Sequence, residues 1–125
     1  MVGRRIPIDS SVWEGEHLSI SYEVEDPTFQ TTSAEWKDAE SIAALREMVH
    51  MVAEENPNRV FRLVPRSGAT LISLQVTSEQ GRVTYHLQGP YFVVQSGWLG
   101  SYALYELDQA LSDQVHEAIR SMLPQ

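Results

Sequence analysis

Apolar and polar residues alternate along much of the middle of the chain, and this pattern limits the fold more than any other feature. In 69–77, apolar residues occupy every second position from Ile72 to Val76, and the strand pattern returns in 83–88 and 91–96. A period of two is that of a β-strand with one buried face. The connections between these segments are short and contain glycine, so the sequence predicts neighbouring strands that pair antiparallel.

The same alternation is present nearer the N-terminus, in 17–25, and it ends at Pro27. Proline cannot donate to a strand ladder, and it restricts the residue before it, so we expect the strand to stop there. Two further strands are predicted from weaker patterns, a short returning strand in 28–33 and a strand in 59–65.

Two segments have the period of a helix instead. The first begins between Ser33 and Asp38 and ends before Pro57; Asp38 is one candidate N-cap, and Thr32 with Glu35 forms a rival capping box. The apolar residues of this segment share one side of a helical wheel. We therefore expect an amphipathic helix with one buried side.

The second helical segment lies at the C-terminal end of the chain. Apolar residues from Leu104 to Met122 fall on one arc of a helical wheel. Residues 102–107 also fit a strand, because their side chains can alternate between two faces. Asp108 is a favourable N-cap, so we favour a strand over 102–107 followed by a helix.

Together these elements predict an α+β fold in the order β-α-β-β-β-(β)-α. An antiparallel sheet of about five strands would carry two amphipathic helices on one face, which makes a two-layer sandwich. No repeat, linker or low-complexity tract divides the sequence. We expect a single domain over 1–125, with an irregular N-terminal arm over 1–12.

The second face of such a sheet would be polar, and it is either solvated or a ligand-binding surface. His86 should lie on it near Ser73 or Gln75. A histidine with such neighbours can act as a general base. A solvated histidine on a strand with no catalytic role has the same kind of neighbours. The candidate ligand face consists of Arg62, Gln75, Thr84, His86 and Gln88, and a cluster of Arg59, Arg62 and Arg66 could hold one anionic group.

Acidic residues dominate the charge. Seventeen Asp and Glu stand against nine Lys and Arg, for a net charge of −8. Residues 9–26 contain no Lys or Arg, whereas 56–90 contain four Arg and a single Glu. Nucleic-acid binding draws much of its affinity from basic patches, so we exclude a nucleic-acid partner and expect a protein with a basic surface.

The sequence carries no motif of a known catalytic or metal site. It has no cysteine, no phosphate-binding glycine loop, no His-Glu-x-x-His and no Gly-x-Ser-x-Gly. His50 and Glu54 lie one helical turn apart, but such a pair supplies two ligands where zinc needs three or four. We therefore predict no catalytic residue, no metal and no cofactor, and an enzyme is the less favoured class.

The three tryptophans fall outside the apolar stripes of the predicted elements. Trp98 is bracketed by glycines, so its loop could either present it to a partner or fold it back onto the core. Tryptophan is over-represented among the residues that dominate binding energy in interfaces. The candidate partner-binding residues are Trp13, Trp36, Trp98, Glu23 and Glu25.

The sequence also bears on location. Residues 1–9 lack the apolar core of a signal peptide, and no apolar run approaches the roughly 20 residues of a membrane-spanning helix. We expect a cytoplasmic protein with no membrane partner.

Three functional hypotheses follow. The one we favour is an acidic, non-enzymatic interaction module, such as an inhibitor, an immunity protein for a toxin or an adaptor, that binds a basic protein surface. The chain is similar to immunity proteins in size, charge and α+β layout, with no shared motif. The first alternative is a small-ligand-binding protein or small enzyme. It would use a pocket between sheet and helices, or the polar face around His86 and the cluster of Arg59, Arg62 and Arg66. The second is a structural subunit that forms a homodimer or larger homo-oligomer.

Overall fold

The alternating segments form strands of one antiparallel sheet, and the two helical segments form helices that pack on it. The structure is a computed structural model that describes residues 11–26, 28, 30–55, 57–60, 70–96 and 101–122. The predicted α+β class is confirmed. The helices are α1 (Ala39–Glu55) and α2 (Gln109–Met122), and the strands are β1 (Ser19–Glu25), β2 (Thr31–Trp36), β3 (Asn58–Val60), β4 (Leu71–Ser78), β5 (Gly81–Gln88), β6 (Tyr91–Ser96) and β7 (Ser101–Glu106).

The sheet is wider than the predicted one of about five strands. Within the described residues it has seven strands in the order β2-β1-β4-β5-β6-β7-β3, and β3 is only three residues long. The strand expected in 28–33 begins and ends three residues later, as β2. Only the first part of the strand expected in 59–65 is described, as β3, because 61–69 lie outside the described residues. The strand predicted over 102–107 is confirmed as β7.

Pairing register puts the apolar residues of the strands on one side. Leu74 on β4 lies between Tyr22 on β1 and Tyr85 on β5, and all three are buried. Their neighbours along each strand point the other way, as the period of two requires. On that other side Ser73 lies directly between Glu23 and His86. We call this side of the sheet, opposite the helices, the open face.

Each helix begins at a capping aspartate. The Ser41 backbone N–H donates to Asp38 Oδ2 at 2.9 Å, and the Leu111 backbone N–H donates to Asp108 Oδ1 at 2.8 Å. These bonds satisfy backbone donors that have no partner inside the helix. The rival capping box is wrong because Thr32 and Glu35 both belong to β2.

The buried stripes of the two helices complete the core. They consist of Leu45, Met48, Val49 and Val52 on α1 and Leu111, Ser112, Val115 and Ile119 on α2. All but Ser112 join one cluster with the apolar side chains of the strands. In the described part of the chain, no helix has the length and apolar character needed to cross a membrane.

The described end of the expected N-terminal arm is ordered. Ser11–Glu14 form a 3-10 helix, where an irregular arm over 1–12 was predicted; residues 1–10 lie outside the described residues. Val12 and Trp13 are 5% and 3% exposed and belong to the core cluster. This short helix therefore covers one end of the core.

Contacts with the β4–β5 hairpin hold the 3-10 helix in place. Ser78 Oγ donates to the Val12 carbonyl oxygen at 2.7 Å. The Glu16 backbone N–H donates to Glu79 Oε1 at 3.2 Å. A Cβ built on Gly15 would lie 2.8 Å from Ser78 Cβ, so only glycine allows the backbone to approach the hairpin this closely.

Strand β7 departs from simple alternation. Ala103, Leu104 and Tyr105 are consecutive, and they are 1%, 2% and 1% exposed. Tyr105 pairs with Phe92 and lies on the helix side of the sheet. Leu104 pairs with Val93 and lies on the open face. The open face is thus polar around β1, β4 and β5 and apolar at this position near β7.

Candidate functional site

The helix side of the structure has a groove between α1 and α2. Its volume is about 900 Å³. The groove runs along both helices, in which each residue advances about 1.5 Å along the axis. We call this surface the interhelical groove; it is lined by Ala44, Glu47, Met48, His50, Met51 and Glu54 of α1 and by Asp113, Gln114, Glu117, Ala118 and Ser121 of α2.

The floor of the interhelical groove is mainly apolar because it borders the buried stripe of each helix. Met48 is buried, and Met51 and Ala118 are half-buried. Ala44 is exposed and precedes Met48 by one helical turn. Residues three and four apart lie on the same side of a helix, so these side chains form a continuous strip beside the core.

The rims of the groove are acidic. Glu47 and Glu54 on α1 and Asp113 and Glu117 on α2 are all exposed. Among the described lining residues there is no Lys or Arg. The four carboxylates therefore surround the apolar floor with negative potential on both sides.

Two of these carboxylates have polar partners on their own helix. Gln109 Nε2 donates to Asp113 Oδ1 at 2.8 Å. Arg120 Nη1 lies 3.4 Å from Glu117 Oε2, and both side chains are more than 70% exposed. An ion pair so open to solvent contributes little, and it leaves the Glu117 carboxylate accessible to a partner.

The open face of the sheet holds a second concave surface, with a volume of about 590 Å³. It lies across β2, β1, β4 and β5. We call it the polar trough; the side chains of its open-face positions are Ser21, Glu23, Ser33, Glu35, Ser73, Gln75, Thr84 and His86. Three members of the predicted ligand face, Gln75, Thr84 and His86, are thus brought together.

His86 has the neighbour predicted for it. Its Nδ1 lies 2.9 Å from Ser73 Oγ, and its Nε2 lies 3.5 Å from Gln95 Oε1. A hydroxyl bonded to an imidazole is one element of a nucleophilic site. Such a site also needs donors aimed at a developing oxyanion. The backbone N–H groups of β4 and β5 are used by the strands that flank them, so the backbone of the sheet is not available for this role here.

The remaining residues of the predicted ligand face lie elsewhere. Gln88 is on the open face, paired with Leu71 and Tyr91, and it does not line the polar trough. Arg62 and Arg66 lie outside the described residues. The backbone of Arg59 pairs with Tyr105, but its side chain lies outside the described part of the structure.

Trp13 is a correction to the predicted partner-binding set. Its side chain is 3% exposed, and its Nε1 donates to Tyr85 Oη at 2.7 Å. A tryptophan that is buried and bonded in this way belongs to the core and is not presented to a partner. Trp13 falls in no apolar stripe of the sequence because the 3-10 helix is too short to show a helical period.

The other residues of that set do not form one surface. Trp36 pairs with Ile20 on the helix side, is half-buried and stacks on Tyr22 with ring centroids 4.9 Å apart. Glu23 and Glu25 lie on the open face. Trp98 lies outside the described residues. Trp36 therefore lies on the opposite side of the sheet from Glu23 and Glu25.

The interhelical groove was not predicted from the sequence. A signal for it was present, because each helix has carboxylates on the positions that flank its apolar stripe. What the sequence did not supply is the placement of the two helices side by side.

Across the described residues, no group of three or more His, Asp and Glu side chains is placed to hold a metal ion. Comparisons of the chain with models of protein families, with curated proteins and with solved structures found no match.

Proposed function

We propose that this protein is a non-enzymatic interaction module, of the inhibitor, immunity or adaptor type, that binds a basic protein surface through the interhelical groove. The observation that supports this is the combination of an apolar floor with four exposed carboxylates at the rims. Apolar surface supplies affinity when it leaves water, and the carboxylates select a partner of opposite charge.

The charge of the whole chain supports the same proposal. A net charge of −8 attracts a basic partner from beyond contact distance and raises the rate of encounter. The same charge repels nucleic acids and anionic membrane surfaces. The location we propose is the cytoplasm, and the absence of cysteine is compatible with it.

The interhelical groove is a better candidate than the polar trough. The polar trough is lined by hydroxyl, amide, imidazole and carboxylate groups, and each must give up water before it can bond to a partner. The groove floor carries fewer such groups. A protein partner therefore gains more from covering the groove than from covering the trough.

The test is binding of an isolated natural partner to two charge-reversal variants. The tagged protein is used to capture partners from native cell extract, and a captured protein is purified so that its Kd can be measured. The groove variant is Glu47→Lys/Glu117→Lys, and the open-face variant is Glu23→Lys/Glu25→Lys. Both change the net charge equally, so only the position of the change differs.

We expect the partner to carry a basic surface and to bind the open-face variant nearly as well as the wild type. The groove variant should bind about tenfold more weakly or worse, as expected for reversed charges at a contact. Equal loss in both variants would show a general charge effect and not a groove. Recovery of no protein that binds in purified form would contradict the function itself.

A second candidate function is supported by the polar trough. The Ser73–His86 bond and the surrounding polar groups could orient a small polar ligand. His86→Ala would then weaken binding of such a ligand, measured by calorimetry with the compounds that raise the thermal midpoint of the wild type. Unchanged binding in that variant would show that the ligand does not bind in the polar trough.

A further inference from the structure

The length of the interhelical groove matches a short helical segment. Its lining runs from Ala44 to Glu54 on α1 and from Asp113 to Ser121 on α2. At about 1.5 Å per residue these spans are roughly 15 Å and 12 Å, which is two to three helical turns. The groove lies between two walls, each of which is itself a helix. A third helix is the regular element that fits such a space.

The backbone of the groove walls argues against an extended occupant. An extended peptide usually binds by adding a strand to a sheet edge, where it finds unpaired N–H and C=O groups. The backbone groups in the middle of α1 and α2 are bonded within each helix. A strand in the groove would therefore leave its own backbone groups without partners, whereas a helix satisfies them internally.

The side chains of the groove suit the apolar stripe of a helix. Met51 and Ala118 are half-buried, and Ala44 leaves open space because its side chain is small. Methionine is flexible and polarisable, so it adapts to the shape of an apolar side chain placed against it. An amphipathic helix would bury its apolar residues here, at positions i, i+3 or i+4, and i+7.

The carboxylates define what must flank that stripe. Glu47 and Glu54 lie two turns apart on one rim, and Asp113 and Glu117 lie one turn apart on the other. A helix seated between them faces negative charge on both sides. Its flanking residues must therefore be Lys or Arg, spaced by whole turns along the helix.

We propose that the interhelical groove binds a single basic amphipathic α-helix of its protein partner, with the apolar stripe of that helix on Ala44, Met51 and Ala118 and its Lys or Arg residues against the acidic rims. This inference rests on the proposed function and specifies the form of the partner at the same site. It predicts that a helix of the correct pattern is sufficient for binding without the rest of the partner.

The probe is a synthetic peptide of about 14 residues, long enough to form a helix when it binds. Leucines occupy one stripe and lysines both flanks. A second peptide has the same composition in an order that distributes leucine around the helix, so its charge is unchanged. Binding of each peptide to the full protein is measured by fluorescence anisotropy at low and at moderate salt.

The protein variants form a matched pair on adjacent residues of α1. Ala43 and Ala44 are both exposed, but only Ala44 lines the groove. Ala44→Trp places a large ring in the groove, and Ala43→Trp places the same ring beside it. Circular dichroism and thermal midpoints confirm that both variants fold, and the groove and open-face charge reversals are measured alongside.

We expect the amphipathic peptide to bind the wild type about tenfold more tightly than the rearranged peptide, with the difference retained at moderate salt. Ala44→Trp and the groove variant should each weaken binding about tenfold. Ala43→Trp and the open-face variant should change it less than about threefold.

Other outcomes separate this inference from the function on which it rests. If both peptides bind equally and only the groove variant loses binding, the acidic site stands and the helical occupant is overturned. If Ala44→Trp has no more effect than Ala43→Trp, the groove is not where the peptide binds, and the inference fails. If no peptide binds while the natural partner still does, the partner uses a folded surface, and the helix is again excluded.

Discussion

The interhelical groove and the polar trough are both concave, and they lie on opposite sides of one sheet, yet they differ in what covers their floors. The groove is floored by alanine and methionine beside the core, and its charges stand at the rims. The trough has polar groups across its floor, and one of them, Ser73, is already bonded to His86. Concave shape alone therefore does not mark a docking surface. What marks a docking surface is the free energy that is released when water leaves its floor.

The same contrast applies to folding energy, since the helix side of the sheet is packed and the open face is largely hydrated. Residues on the helix side should contribute most to stability. The polar residues of the open face around β1, β4 and β5 should contribute little, which leaves them free to vary without loss of the fold.

Trp13→Ala should have the largest effect. The substitution removes a buried ring from the covered end of the core, together with the hydrogen bond that Trp13 Nε1 donates to Tyr85 Oη. We expect a loss of about 3–5 kcal/mol in the free energy of unfolding, measured by urea denaturation. Trp36→Ala is the control, because Trp36 is half-buried on the edge strand β2 and should cost distinctly less. Equal losses would contradict the role of Trp13 as a core residue.

Asp108→Ala should have an intermediate effect, because Asp108 caps α2. This helix forms one wall of the interhelical groove. The variant removes the acceptor of the Leu111 N–H and should destabilise the protein by about 1 kcal/mol. Asp108→Asn keeps an oxygen at the same place and should retain most of the stability. Chemical denaturation of the three proteins checks the order, and a loss in the asparagine variant as large as in the alanine variant would exclude a capping role.

The Ser73–His86 bond on the open face should contribute less. In a double-mutant cycle of Ser73→Ala and His86→Ala, we expect a coupling of about 0.5 kcal/mol, since water can replace either partner on a hydrated face. Denaturation midpoints of the four proteins supply the cycle. A coupling as large as the effect of Asp108→Ala would mean that water does not replace the lost partner, and it would contradict the description of the polar trough as hydrated.

Asp38 supplies a pH-dependent prediction of the smallest effect. Hydrogen bonds to the Asp38 carboxylate hold its pKa below the ordinary value of 3.8. The bond from the Ser41 backbone N–H has the largest effect, and the bond from the Ser41 side chain has the next largest. Because the folded pKa is lower than the unfolded one, this stabilisation is present above pH 3.8 and is lost as the pH falls through the folded pKa. The advantage of wild type over Asp38→Asn in thermal midpoint should therefore shrink in acid. An NMR titration of Asp38 that gave a pKa at or above the ordinary value would refute this.

Local patterns predicted most of the fold. The alternation in 69–77 and 83–88 identified the central strands and their inward sides, and Asp108 separated β7 from α2 because capping depends on neighbouring residues alone. The position of His86 beside Ser73 followed from the same alternation once the hairpin was placed.

What the sequence could not supply depends on distant parts of the chain. Trp13 is buried because the 3-10 helix rests on the β4–β5 hairpin, more than sixty residues away, as shown by the Ser78–Val12 bond. The interhelical groove arises from the distance between two helices whose separate patterns do not specify it. Long-range packing thus accounts both for the main error and for the site that was missed.

The run of buried residues in β7 has a consequence for how that strand finds its place. In β4 or β5, slippage by one position would turn an apolar row out into water, so alternation itself penalises misalignment. In β7 the same slip would exchange Leu104 for Ala103 or Tyr105, all of them buried, so hydrophobicity distinguishes the two alignments only weakly in the middle of the strand. The exposed Glu106 at the end of the strand would, however, be turned toward the core. The strongest alignment signals therefore lie at the strand's end, where Glu106 is exposed, the Leu107 N–H donates to the Pro90 carbonyl at 2.7 Å and Asp108 starts the next helix. Polar groups at one end of β7 thus contribute to the alignment of a strand whose middle is uniformly apolar.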